Sequence, residues 1–335
     1  MTTFEAMRKA VFIFAAAGLL LQSCKNDFEV NEPWRETMVV VGLLNAADTA
    51  HYIKINKAYL GEGNALVMAG EFDSINYTDN EIDARLERWK NGVLMQTLPL
   101  YRDTLIPKDT GVFASPLQML YKTSSPILQD GSSYKLIINN ENSGKVVTSE
   151  TPIVQNISVN TPNPNQTINL VGVNPYSTKF YTAAEGKRYE VVVRFHYTEK
   201  LIFDTTQQER KHVDIFLGTY EAADLSGGQL IESSVTPEVF YKTIGNNVQP
   251  NGNVNLYYNS LEFIYSAAAE VFVIYMDVAQ TQSATFGEMP FFTNISDGVG
   301  LFSSRFNKYV NNVRLSAASY DSLRFGQYTV HQGWR

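Results

Sequence analysis

Cysteine is nearly absent from this chain of 335 residues: Cys24 is the only one. No disulfide can form within the chain, so its stability has to come from packing. Charge is sparse too. Asp, Glu, Lys and Arg make up 18% of the residues and the formal net charge is −7. With no basic stripe anywhere, nucleic acid has no electrostatic footprint to meet. No apolar run reaches the roughly 20 residues that a spanning helix needs. Signatures of chemistry are missing as well: no G-x-x-x-x-G-K-[ST] phosphate loop, no H-E-x-x-H and no G-x-S-x-G elbow. Nor is there an internal repeat at solenoid or propeller spacing. The remainder, 44% hydrophobic and 12% aromatic, is the composition of a folded globular protein.

The position of Cys24 gives it meaning. Arg8 and Lys9 make a short positive start, Ala10 to Leu21 are apolar, and Leu21-Gln22-Ser23-Cys24 leads at once into Lys25, Asn26, Asp27 and Glu29. A positive start, a short apolar core and a small residue before the cut describe a signal peptide and not a spanning helix. The pattern resembles a bacterial lipoprotein signal, which implies removal of residues 1–23 and acylation of Cys24, for example by palmitate. Two acyl chains suffice for stable attachment. Residues 24–36 then read as a tether, and Lys25 to Glu29 loosely resemble the acidic export signals of surface lipoproteins.

Beyond the tether the chain reads as β almost throughout. Val39 to Leu44 and Ile53 to Ile55 are β-branched runs, and Asp83 to Leu86 alternates polar with apolar. Asn91-Gly92, Asp130-Gly131 and Ser143-Gly144 mark turns. The strongest strand signal is Arg188 to Tyr197, where Tyr189, Val191, Val193, Phe195 and Tyr197 share one face. Val213 to Leu217 and Val271 to Met276 read as further strands, the latter for its β-branched and aromatic content, although Ala267 to Val278 also fits a helix. A brief helix is expected near Gly63 to Ala69, with Asn64 as its cap. Ile153 to Val159 reads as a strand before the proline-rich loop Thr161 to Asn165. Length favours two domains. The expectation is a mainly β protein of two antiparallel β-sandwich domains, immunoglobulin- or fibronectin-like, over residues 37–151 and 152–335, with minor helix.

Several short motifs look like chemistry and read better as structure. Leu225-Ser226-Gly227-Gly228-Gln229 matches the signature loop of ABC-type ATPases, but without a phosphate loop it reads as a surface turn. Asp109-Thr110-Gly111 has no second copy to make an aspartic-protease pair. The four histidines, His51, His196, His212 and His331, form no helical pair, so no zinc site and no cofactor is expected. Asp followed by Ser or Thr and then by Thr or an apolar residue resembles an O-glycosylation signal of exported Bacteroidota proteins. It nominates Thr49, Ser74, Thr104, Thr205 and Ser322 as acceptors. Plain turn chemistry explains the same pairs.

From Thr37 onward the chain resembles Bacteroidota lipoproteins of the domain-of-unknown-function 4249 type. The resemblance rests on Met38-Val39-Val40-Val41-Gly42, on Ser133 to Ile138 and Val147 to Pro152, and above all on Phe292-Thr293-Asn294-Ile295-Ser296-Asp297-Gly298-Val299-Gly300-Leu301-Phe302-Ser303-Ser304. It implies placement in the cell envelope and the company of TonB-dependent outer-membrane receptors, with no established activity. The leading expectation is therefore a non-catalytic outer-membrane lipoprotein at the cell surface, acting as an envelope accessory. Capture of a glycan or peptide is the alternative, with Tyr257, Tyr258, Trp34, Trp89 and Trp334 as stacking surfaces. A hydrolase with dispersed catalytic residues ranks third.

Overall fold

The computed structural model describes residues 37–58, 65–109, 111, 117–123, 128–249, 252–282 and 291–335. Cys24, Trp34, Asn64 and Thr110, each singled out from the sequence, lie outside the described residues. The protein is mainly β, with 53% strand and 16% helix. The first half contains β1 (Thr37–Asn45), β2 (His51–Ala58), two short helices α1 (Ala65–Gly70) and α2 (Phe72–Ile75), β3 (Ile82–Lys90), β4 (Val93–Pro107), β5 (Leu117–Thr123), β6 (Ser133–Asn140) and β7 (Val146–Pro152). The second half contains β8 (Ser158–Thr161), β9 (Thr167–Ile168), β10 (Tyr176–Tyr181), β11 (Arg188–Leu201), β12 (Gln208–Glu221) and β13 (Leu230–Val235). It continues with α3 (Pro237–Asn247), β14 (Val254–Ala268), α4 (Glu270–Gln282), β15 (Gly298–Leu315) and α5 (Ala317–Phe325).

One path of paired strands runs through both halves, in the order β12-β11-β14-β15-β1-β2-β5-β4-β3-β6-β7. A separate three-stranded sheet, β13-β10-β8, lies beside it. The turn at Asn91-Gly92 is present, and both residues are left-handed (φ 51° and 76°), as a two-residue hairpin that matches strand twist requires. Gly131 and Gly144 take the same left-handed region at the other two expected turns. In the first half the path folds back on itself. β4 pairs with β3 up to Leu100 and with β5 from Tyr101, and Ser296, just before β15, bridges Thr148 of β7.

β15 joins the halves. Its first part, from Gly298 to Arg305, runs parallel to β1, and its later part runs antiparallel to β14. The β1–β15 pair corrects the expectation of purely antiparallel sheets: the sheet is mixed. Gly300 sits at φ 121°, and a Cβ there would stand 2.0 Å from the Val40 carbonyl, so only glycine allows this approach of the two backbones. Asn294 holds the entry to β15, because its side chain accepts from the Phe302 amide (3.0 Å) and donates to the Phe302 carbonyl (2.6 Å).

Two further expectations change. Val271 to Met276 is helical, within α4, and not a strand. Its apolar residues follow β14 directly, and only one of them, Val273, is buried, on the face that starts at Ala269. Burial at helical spacing thus overrides the β-branched composition. Ile153 to Ile157 is irregular, and the regular strand begins only at Ser158. Ile153, Val154 and Ile157 are nonetheless buried. Their backbone is held by Ser304 of β15, whose hydroxyl accepts from the Val154 amide (3.1 Å) and donates to the Pro152 carbonyl (2.6 Å).

Ser304 is fully buried. Replacing it by Ala removes the acceptor of the buried Val154 amide, while the Pro152 carbonyl keeps the Thr151 hydroxyl as donor, at a cost of about 1–3 kcal/mol. Urea unfolding of Ser304→Ala should show that loss in the midpoint. An unchanged midpoint would show that Ser304 does not couple β15 to the segment after β7.

Candidate functional site

The two faces of the β12-β11-β14-β15 sheet have opposite chemistry, because the side chains of β11 alternate. Tyr189, Val191, Val193, Phe195 and Tyr197 are buried on the inner face. Phe195 stacks on Tyr258 at 5.3 Å and meets Trp334 (5.4 Å) and Phe240 of α3 (6.1 Å) edge-on. Phe180 of the small sheet packs on Tyr265 at 5.2 Å. Burial pushes the Tyr258 phenol up to about 12, and its hydroxyl accepts from the Leu315 amide. This face is closed.

The outer face is polar and concave. A groove of about 880 Å³ lies over β11, β12, β14 and β15. The strand register sets its rows. Arg210, Thr198 and Tyr257 lie side by side, as do His212, His196 and Ser260, then Asp214, Arg194 and Glu262. Two β-bulges shape it. On β14 the pairing with β11 slips after His196 and leaves Asn259 as an extra residue. On β15 the pairing with β14 slips between Val310 and Val313, at Asn311 and Asn312. Bulges bend and twist a strand locally. Asn312 is left-handed (φ 60°), a conformation that asparagine tolerates better than most residues. Both bulges thus bring asparagine side chains to the groove.

Hydrogen bonds order much of its wall. Arg194 grips Asp214 through two bonds of 2.7 and 2.8 Å, which hold the Asp214 carboxyl below the usual range and raise the Arg194 pKa. His196 Nε2 lies 3.2 Å from Glu262 Oε2. Asn259 donates to the Thr198 hydroxyl at 2.8 Å. The Lys200 ammonium sits 4.9 Å from the centre of the Tyr257 ring. Glu199 (2.8 Å) and Glu209 (3.2 Å) both pair with Lys211, which raises its pKa.

The structure sorts the residues that sequence nominated. His196 and His212 face each other with ring centres 6.2 Å apart, whereas His51 is buried in β2 and His331 is exposed. No group of three or more His, Cys, Asp or Glu that could hold a metal occurs among the described residues. Of the stacking candidates Tyr257 lines the groove. Tyr258 and Trp334 point into the core, and Trp89 donates to Glu87 on β3. Thr49 and Thr205 are exposed on turns, while Ser74, Thr104 and Ser322 are half-buried in regular elements. Asp204 caps its own turn by accepting from Thr206 and Gln207, a structural duty for that Asp-Thr pair. The Ser226-Gly227-Gly228 motif is a turn as well. A Cβ on Gly227 would stand 2.6 Å from the Ala184 amide nitrogen, and Asp224 accepts from the Ser226 amide. Sequence reasoning missed the asparagines of the groove. Their one signal was polar residues breaking the alternation of two long strands.

No family model matches the chain, and no curated protein matches it. Among solved structures, the sporulation control protein Spo0M of Bacillus subtilis aligns at 7% identity and a TM-score of 0.19, over 49% of this chain and 51% of that one. The C-terminal globular domain of an oligosaccharyltransferase from Pyrococcus abyssi aligns at 10% identity and a TM-score of 0.20, over 84% and 50%. The chain spans about half the length of these structures, and similarity at this level carries no functional argument.

Two measurements test the local physics. Asn312→Val should cost about 1–2 kcal/mol, the penalty of a left-handed residue with a branched side chain, while Asn312→Gly should be tolerated. Equal urea midpoints for the two variants would refute the bulge geometry. His51 supplies a pH dependence. Burial lowers its pKa below the ordinary value of about 6.5. The unfolded chain therefore takes up a proton first as pH falls, and stability drops below about pH 6.5. In His51→Leu the loss of stability between pH 7.5 and 5.5 should be smaller than in the parent; an identical loss would exclude His51 as its source.

Proposed function

We propose that the protein is an outer-membrane lipoprotein, anchored through acylated Cys24 and exposed at the cell surface. In this reading it acts without catalysis, as a partner-binding accessory of the envelope beside a TonB-dependent receptor. The observation that carries the reading is the run Leu21-Gln22-Ser23-Cys24 after an apolar stretch too short to span a bilayer. The charged stretch from Lys25 to Glu29 supports surface export. A mainly β body with one sheet face sealed by aromatic residues and the other open and polar suits binding. The two halves, residues 37–151 and 152–335, are then two sandwich-like units that share β15. A second reading, surface capture of a glycan or peptide, is favoured by Tyr257 and the amide side chains in the groove.

Metabolic labelling with an alkyne-bearing palmitate tests the anchor. The parent chain should be labelled and membrane-bound, and Cys24→Ala should lose the label and the membrane together. Persistent acylation of Cys24→Ala would refute the proposed anchor. Proteinase added to intact cells should cleave the parent chain while a periplasmic control survives. Pull-down of the acylated chain from native membranes should recover a stoichiometric envelope partner, and repeated recovery of the chain alone would count against the accessory role.

A further inference from the structure

The charge of the groove runs against that of the chain. Although the formal net charge is −7, the groove is lined by Lys200, Arg210, Lys211 and Arg314, with Glu262 the single carboxylate among the described lining residues. Lys211 is neutralised by Glu199 and Glu209, and Glu262 is engaged by His196. Arg210 and Arg314 have no ion-pair partner among the described residues, and both are exposed. They stand on β12 and β15, at the two sides of the groove. Three strand spacings separate them, about 14 Å across the sheet. An acidic chain that concentrates unpaired guanidinium groups in one concavity favours an anionic ligand there, since guanidinium pairs with carboxylate and oxyanion through two parallel bonds.

The rest of the lining selects the class of anion. Asn165, Gln208, Asn259, Asn311 and Asn312 place amides around the groove. Each amide both donates and accepts, which matches the hydroxyl groups of a sugar ring. Tyr257 offers an aromatic surface against which a ring can lie. Among the described residues no aliphatic side chain lines the groove, so they offer none of the alternating apolar pockets that read a peptide. Its volume of about 880 Å³ is within the range of sites that enclose a ligand larger than a single phosphate or headgroup.

We infer that the groove over β11, β12, β14 and β15 binds an anionic polysaccharide, a glycan whose sugar rings carry carboxylate or sulfate groups. The inference rests on reading this face as the binding surface and is independent of the anchor at Cys24. Arg210 and Arg314 pair with the acidic groups, the asparagines of the two bulges bond to ring hydroxyls, and Tyr257 supports a ring. The bulges set this geometry, because each turns asparagine side chains into a concavity that a regular sheet would not have.

Calorimetric titration of the full chain in detergent micelles tests it with four probes: an oligogalacturonate, the same oligomer fully methyl-esterified, dextran sulfate and polyglutamate. At least one of the two acidic glycans should bind saturably. If the oligogalacturonate is that ligand, its ester should bind at least tenfold more weakly. Polyglutamate, which has charge without sugar hydroxyls, should not saturate. The double variant Arg210→Ala/Arg314→Ala should weaken binding of the acidic glycan by tenfold or more, whereas Lys90→Ala/Lys242→Ala, which removes the same charge elsewhere, should leave it unchanged. Absence of binding by both acidic glycans, binding of polyglutamate as tight as theirs, or an unchanged affinity in the Arg210/Arg314 variant would each overturn the proposal. Acylation of Cys24 is read separately, so failure here does not bear on the anchor.

Discussion

The close parallel approach of β15 to β1 is the contact on which the rest of the molecule depends. Gly300 brings the two backbones together where any side chain would strike the Val40 carbonyl, and Asn294 fixes the register by bonding both backbone groups of Phe302. From there β15 continues into the second half and pairs with β14. A single strand therefore couples a sheet built early in the chain to one built late. Ser304 ties the same strand to the segment after β7, and the bridge from Ser296 to Thr148 draws β7 toward it. Such pairings between residues far apart in sequence require closing a long loop before they return any contact energy.

The groove is a consequence of how the second half is packed. Its inner sheet face is covered by the small sheet, by α3 and by the Trp334 segment, with Phe195 at the centre of the aromatic contacts. Gln332 donates to the carbonyls of Ile244 and Gly245 at the end of α3 and accepts from the Trp334 indole, which satisfies the polar groups buried there. Polar and charged residues of β11 have only the outer face left to occupy. The bulges then curve that face, and the ion pair between Arg194 and Asp214 links β11 to β12 beside it, an exposed pair that contributes about 0–1 kcal/mol.

Motifs with a catalytic look resolve into backbone geometry. The glycines of the Leu225-Ser226-Gly227-Gly228-Gln229 segment serve a turn that hydrogen-bonds to Thr182 and Glu185. The late Asn-Ile-x-x-Gly-x-Gly-x-Phe segment is likewise an element of assembly, with Ile295 and Phe302 buried and Gly298 within 2.9 Å of the Met38 carbonyl at its would-be Cβ. Short polar motifs with glycine serve turns and close approaches wherever the chain needs a conformation that other residues resist.

The sequence by itself determined the β character, the hairpin at Asn91-Gly92 and the buried face of β11. Each of these is local: a period of two or a pair of left-handed residues. The helix α4 escaped because its β-branched residues imitate a strand, and only its packing beside β15 shows that Val273 alone among its described residues is buried. Only the tertiary structure decided that β15 would run parallel to β1. The same holds for the pairing of His196 with His212, and for the arrival of Asn259, Asn311 and Asn312 in one groove. Residues from four strands converge there, and which of them become neighbours depends on strand order and bulge position, neither of which is written in any short window of sequence.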